Sequence, residues 1–185
     1  MAGKVKTRLA AAIGDEKATA IYRELVNHTI RVASKVNAEK IIFLSEDTGK
    51  NFAEVKGFNT SLQKGNDLGE RMRNAFDELF QEGYEQAVLI GSDCPAISPP
   101  ILEKAFEELD QSDIVIGPAE DGGYYLIGMK RLYAELFENM KWSNQDVFST
   151  TQARCEQFKL TVVLLPILPD VDEERDLVHW QKNRL

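Results

Sequence analysis

The sequence predicts an α/β fold, a three-layer α/β/α sandwich around a mostly parallel sheet. Two observations carry this expectation. Apolar runs of strand length alternate along the chain with segments whose apolar residues recur at helical spacing. Two short acidic motifs also stand directly behind apolar runs, Gly91-Ser92-Asp93-Cys94-Pro95 after residues 87–90 and Glu120-Asp121-Gly122-Gly123-Tyr124-Tyr125 after residues 114–116. In open α/β sheets ligands bind at the carboxyl ends of buried strands, so such motifs are expected to carry the chemistry.

From Asp15, the positions Ala18, Ile21, Leu25, Val32 and Val36 form one stripe of a long helix. Residues 40–45 form a short apolar run with β-branched members, expected as a buried strand, and 58–63 a weaker one. Met72, Ala75, Phe76, Leu79 and Phe80 make a second helical stripe that begins at Leu68 and stops at Gly83. Residues 86–91 are the plainest strand, and Pro99-Pro100 opens a helix reaching Leu109. Two strands, 113–117 and 124–128, are joined by a turn-rich link, and one antiparallel excursion is expected in the sheet. Helical segments are expected over 131–139 and 145–158, a last strand over 160–165, and a last helix capped by Asp172.

A chain of 185 residues with 43% apolar and 28% charged content can bury one substantial core, and no repeat or linker divides it, so a single domain over 1–185 is expected. The formal charge of -8 argues against general nucleic-acid binding, which needs clustered cations. The two cysteines have neither zinc spacing nor the density of a secreted disulfide scaffold, which points to the cytoplasm. The opening basic residues and the apolar run 9–13 resemble a signal peptide only superficially, because the run is short and Asp15 and Glu16 follow it. No stretch approaches the roughly 20 apolar residues of a membrane span, so no membrane partner is expected.

Lys4, Lys6, Thr7 and Arg8 follow Gly3 just ahead of a helix. Cations and a hydroxyl beside a glycine suit phosphate oxygens, although a solvated basic segment has the same composition. Asp93, at a strand end before Pro95, suits a hard divalent cation, or else a helix cap or turn. Cys94 beside it has no histidine near in sequence, and both histidines fall on expected helices, which reads against a thiol nucleophile. Asp121-Gly122-Gly123 reads equally as a hairpin turn and as a substrate-facing carboxylate with space beside the backbone. Of Tyr124 and Tyr125, which alternate faces, at most one reaches a pocket. Gly65, Asp67, Gly69, Glu70 and Arg71 suit either a ligand loop or the start of a helix that Asp67 caps. Asp170-Val171-Asp172 follows the last strand and offers a second carboxylate to converge with Asp93.

In order, GKVKTRLA, GNDLGERMRNAF, LIGSDCP, GPAEDGGYYLIG, WSNQDVFSTT and DVDEERDL resemble the rSAM/selenodomain-associated transferase family over nearly the whole chain. That family has the GT-A nucleotide-diphospho-sugar transferase fold and is similar to 2-phospho-L-lactate guanylyltransferase. The resemblance implies a Rossmann-like sheet, a nucleotide at the strand ends, Mg²⁺ or Mn²⁺ near Asp93, and a phosphate loop of Gly3, Lys4, Lys6 and Arg8. It also implies a buried first strand ahead of that loop, where only Met1 and Ala2 stand; the late motif carries Glu173 where the family has Thr.

The resulting expectation is a metal-dependent glycosyltransferase-like enzyme using a nucleotide-activated donor, most readily a nucleotide sugar, and a small-molecule acceptor. Asp93 and Asp172 would hold the metal, and Asp93 and Asp121 would be catalytic. Ser92, Gly122, Gly123, Tyr124, Trp142 and Ser143 would line the substrate pocket. Nucleotidyl transfer from a nucleoside triphosphate, and a nucleotide-binding module without catalysis, are the alternatives.

Overall fold

The computed structural model describes residues 6–45 and 55–182. Helices α1 (Thr7–Ile13) and α2 (Asp15–Ala33) are separated only by Gly14, whose φ of 88° lies in the region that glycine enters without a Cβ penalty. Strands β1 (Ile41–Leu44) and β2 (Asn59–Leu62) pair in parallel as a small sheet of their own. Helix α3 (Leu68–Gln81) leads to β3 (Ala87–Ile90), and α4 (Pro99–Leu109) follows. Then come β4 (Ile114–Pro118), β5 (Tyr124–Met129), α5 (Val147–Gln157), β6 (Val162–Leu164) and α6 (Leu177–Lys182).

The larger sheet has the order β3-β5-β4-β6 and is mixed, not mostly parallel. The reason is local. The link 119–123 is too short for a crossover, so β5 must return antiparallel to β4, and it then pairs antiparallel to β3 as well. Because β5 lies between them, β3 and β4 point the same way, and β6 pairs parallel to β4. The carboxyl ends of three strands therefore share one side of the molecule.

Alternate residues of β4 enter different cores, as strand geometry requires. Val115 joins α4 residues Leu102, Ala105 and Leu109, while Ile114 and Ile116 join Met72 and Phe76 of α3 and Cys155 of α5. A third cluster binds the two chain ends together, with Leu9 and Leu25 of the first helices against Val171 and Trp180. That cluster fixes α1 beside the segment carrying Asp170 and Asp172.

Two further expectations need correction. Over 131–139 only a 3₁₀ turn forms, Ala134–Leu136, because Arg154 of α5 takes the carbonyls of Glu135, Leu136 and Asn139 as acceptors, and Asn139 turns left-handed at φ 50°. Asp172 caps nothing. Glu173 is the N-cap of the last helical segment, and its backbone N–H donates to Asp176 in a capping box. The residue that departs from the family pattern thus has a local structural role.

Candidate active site

Backbone pairing assembles the site before any side chain is considered. Beyond β3, the carbonyl of Asp93 accepts from Val171 N at 3.0 Å. Beyond β4 and β6, Leu168 N donates to Pro118 O and Glu120 N donates to Leu168 O, each at 3.1 Å. The loops after β3, β4 and β6 are thereby laced together at one end of the sheet. Val171 is wholly buried, while its neighbours Asp170 and Asp172 are both part-exposed and line one cavity.

Lys6 reaches into this cluster. Its ammonium lies 3.0 Å from Asp93 Oδ2 and 3.6 Å from Asp172 Oδ1, with its side chain only 9% exposed. It leaves for α1 from left-handed backbone, φ 48° and ψ 51°, uncommon for a residue with a Cβ. Arg8, two residues on and 60% exposed, pairs with the other oxygen of Asp172 at 3.0 Å. Thr7 stands exposed between them at the first position of α1.

Asp170 sits among carboxylates. Burial foremost, then the charges of Asp121 and Asp93, push it up to about 6. Asp121 is exposed, and its Oδ1 accepts from Gly123 N at 2.8 Å, the self-turn expected of Asp before glycine. The turn reading of this motif is thus present in the structure, and Asp121 also lines the cleft. The space beside Gly122 does not face a substrate, however. At φ 90°, a Cβ there would lie 2.1 Å from the carbonyl of Gln145, so the glycine admits the chain that leads into α5.

A cleft of about 1990 Å³ opens here, lined among others by Arg8, Arg71, Ser92, Asp93, Asp121, Trp142, Ser143 and Asp170. A smaller lobe of about 420 Å³ lies between Arg8, Asp121, Asp170, Asp172, Arg175 and His179. On the far wall, Asp67 caps α3 by accepting from Glu70 N, and Glu70 accepts in turn from Asn66 N. Arg71 Nε donates to Gly65 O, and the Trp142 indole covers Gly69 so closely that a Cβ would lie 2.4 Å from Nε1. Asp67, Glu70 and Gly65 are engaged in the start of α3, and Arg71, Trp142 and Ser143 line the cleft. Tyr124 turns its hydroxyl into the protein, beside α5, and burial raises it strongly; Tyr125 is buried too, its hydroxyl donating to Pro166 O. Cys94 is buried, and burial pushes its thiol up to about 12, so no thiolate is available to attack. Gly3 and Lys4 lie outside the described residues.

Among the described residues no three metal-ligating side chains form a ready cage. A hard cation that keeps water and phosphate in its shell needs only one or two carboxylates, and Asp93 with Asp170 or Asp172 supplies that chemistry. Of the Asp170-Val171-Asp172 run, sequence reasoning gave the metal to Asp172 and not to Asp170. The signal was available in the apolar Val171 between two aspartates, since its burial leaves a part-exposed carboxylate on either side of it.

Residues 28–144 match the family described as "uncharacterized protein conserved in bacteria" (DUF2064). The chain belongs to this family. It is 26% identical over 130 residues to the 2-phospho-L-lactate guanylyltransferase of Methanobrevibacter smithii, a match that covers 69% of this chain and 57% of that protein's length. A crystal structure from Desulfovibrio desulfuricans G20, designated a candidate nucleotide-diphospho-sugar transferase, superposes with a TM-score of 0.89 at 34% identity, covering 100% of this chain and 83% of that one. Rv0371c of Mycobacterium tuberculosis H37Rv, solved in complex with manganese, shares the fold at a TM-score of 0.60 and 16% identity over 85% of each chain. The DUF2064 chain is thus related to a guanylyltransferase and shares its fold with the Desulfovibrio protein designated a candidate nucleotide-diphospho-sugar transferase. Among its described residues no helix is long and apolar enough to cross a membrane.

Proposed function

We propose that this protein is a metal-dependent transferase acting on a nucleotide-activated donor, with the donor phosphates at the carboxyl ends of β3, β4 and β6. The observation that carries the reading is Lys6, a nearly buried ammonium between Asp93 and Asp172, beside Asp170 and Asp121. Cations and carboxylates brought together at strand ends around a cleft suit a phosphate and its metal, since each charge offsets the others when ligand enters.

In this reading Asp93 and Asp170 hold Mg²⁺ or Mn²⁺, with Asp172 close by, and Lys6 and Arg8 neutralise phosphate oxygens. When bound, the metal supplies Lewis-acid stabilisation of the departing phosphate. Arg71, Trp142 and Ser143 close the wall where the rest of the donor lies. Asp121, at the mouth between the two lobes, orients an acceptor hydroxyl and accepts its proton.

A nucleotide-sugar donor is favoured by the 34% identity, along the whole chain, to the Desulfovibrio protein of that designation. Nucleotidyl transfer is the second reading, favoured by the guanylyltransferase relative. The two break different bonds. Glycosyl transfer leaves a nucleoside diphosphate, while attack on the α-phosphate of a nucleoside triphosphate expels pyrophosphate. Product analysis with Mn²⁺ and a panel of both donor types should show nucleoside diphosphate accumulating. Stoichiometric pyrophosphate with nucleotide sugars inert would promote the second reading instead.

A further inference from the structure

Two side-chain cations hold the carboxylates that a metal would use. The Lys6 ammonium lies 3.0 Å from Asp93 Oδ2 and 3.6 Å from Asp172 Oδ1, and Arg8 Nη1 lies 3.0 Å from Asp172 Oδ2. Both oxygens of Asp172 and one of Asp93 therefore face a cation already. The four groups, two of each sign, balance in charge. Their settings differ, because the Arg8 side chain is largely exposed and its pair is screened by water, whereas the Lys6 side chain is nearly buried and its pairs are screened far less. Among the described residues Asp170 makes no ion pair of this kind.

A divalent cation arriving by itself meets Lys6 as a rival. To use Asp93 and Asp172 it must stand beside an ammonium, and two cations repel strongly where water is scarce. What remains open to it is the single carboxylate of Asp170, a weak hold on an ion that gives up its water reluctantly. Phosphate reverses this balance. Its oxygens accept from an ammonium as carboxylates do, and the flexible lysine stem lets the charge pivot from one to the other. The backbone need not follow, since Lys6 O already accepts from Ala10 N at 2.7 Å in the first turn of α1.

We propose that Lys6 gates the metal site: its ammonium guards Asp93 and Asp172 against a lone divalent cation and yields them when phosphate accompanies the metal. The form that the site admits is then the metal–phosphate complex. This inference rests on reading Asp93 and its neighbours as ligands of the metal, and it adds an opposition of sign. The same lysine strengthens the binding of metal with phosphate and weakens the binding of metal alone. A lysine that only supported the fold would not move the two affinities in opposite directions.

The test removes the ammonium and measures metal binding with no reaction involved. Lys6→Gln deletes the charge, and Lys6→Asn does so with a residue that suits the left-handed backbone found there. Calorimetry at neutral pH follows Mn²⁺ alone and Mn²⁺ with inorganic pyrophosphate, for these variants, the parent and Asp93→Ala. Either folded Lys6 variant should bind Mn²⁺ alone about tenfold or more tightly than the parent does, and Mn²⁺-pyrophosphate about tenfold or more weakly. The parent itself should take Mn²⁺-pyrophosphate about tenfold or more tightly than Mn²⁺ alone. Equal affinity of the parent for both overturns the gate, whether or not either variant folds. So does an affinity for Mn²⁺ alone that is unchanged or lower without the ammonium; if Asp93→Ala still loses Mn²⁺-pyrophosphate, the metal site stands without its gate. Asp93→Ala that binds Mn²⁺-pyrophosphate as the parent does overturns the metal reading, and the gate with it.

Discussion

Lys6 and Asp170 bring opposite charges to one cluster at the end of the sheet. The ammonium lies between two carboxylates, and Asp170 is crowded by two of its own kind. Because Asp170 holds its proton to about 6 in the native state, against an ordinary 3.8, the folded protein binds more protons than the unfolded chain between those values. Stability from this group is therefore lost as pH rises through that window. Metal-free Asp170→Asn should match the parent in Tm near pH 3.8 and exceed it above pH 6, and a divalent cation should narrow the gap by stabilising only the parent. Identical pH profiles for the two proteins would show that Asp170 is not strained by its neighbours. Lys6→Met should weaken binding of a nucleoside diphosphate about tenfold or more, near 1.4 kcal/mol, by calorimetry. An unchanged affinity would remove Lys6 from the phosphate site.

At the scale of elements, the site depends on loops fastened from behind. Gly122 and Gly69 admit the 142–145 segment at both ends, against Gln145 and the Trp142 ring. Gly122→Ala combines a φ of 90° with a clash against backbone, and should destabilise by about 1–3 kcal/mol in urea unfolding. A loss under a few tenths would mean that the segment shifts freely. At the opposite end of the sheet, Asp113 accepts from the Thr161 hydroxyl and backbone and from Tyr133. The Thr161 hydroxyl first, then its backbone N–H, hold the Asp113 carboxyl below its ordinary value. Its contribution is thus present above pH 3.8 and lost as pH falls through the lowered value. Asp113→Ala should cost about 1–3 kcal/mol at neutral pH and progressively less in acid. A cost independent of pH would contradict the charged hydrogen bonds.

Much of this was legible along the chain, for stated reasons. Helix α4 begins at its proline pair and ends at Leu109 as its sequence dictates, and the stripes of α2 and α3 appear where periodicity put them. The segment 131–139 misled because its apolar spacing is helical while its carbonyls are claimed by Arg154, a partner distant in sequence. Sheet direction was misjudged because pairing is a tertiary property, and the central position of β5 doubles the weight of one hairpin. Asp93, Asp121 and Lys6 could be picked out singly as charged residues after strands or before a helix. Their convergence with Asp170 depends on backbone bonds between loops far apart in sequence, which no local pattern encodes.

For the molecule as a whole, the central claim is that one cleft at the end of the sheet holds nucleotide through a metal at Asp93. The related guanylyltransferase and the nucleotide-diphospho-sugar transferase fold make nucleotides the ligands to test. Denaturation of the parent and of Asp93→Ala is compared across nucleoside triphosphates and nucleotide sugars, with and without Mn²⁺. At about 100 times its dissociation constant a donor should stabilise the parent by roughly 2.7 kcal/mol in the presence of Mn²⁺, and Asp93→Ala, still folded, should show no metal-dependent gain. Equal nucleotide- and metal-dependent stabilisation of both proteins would contradict the account.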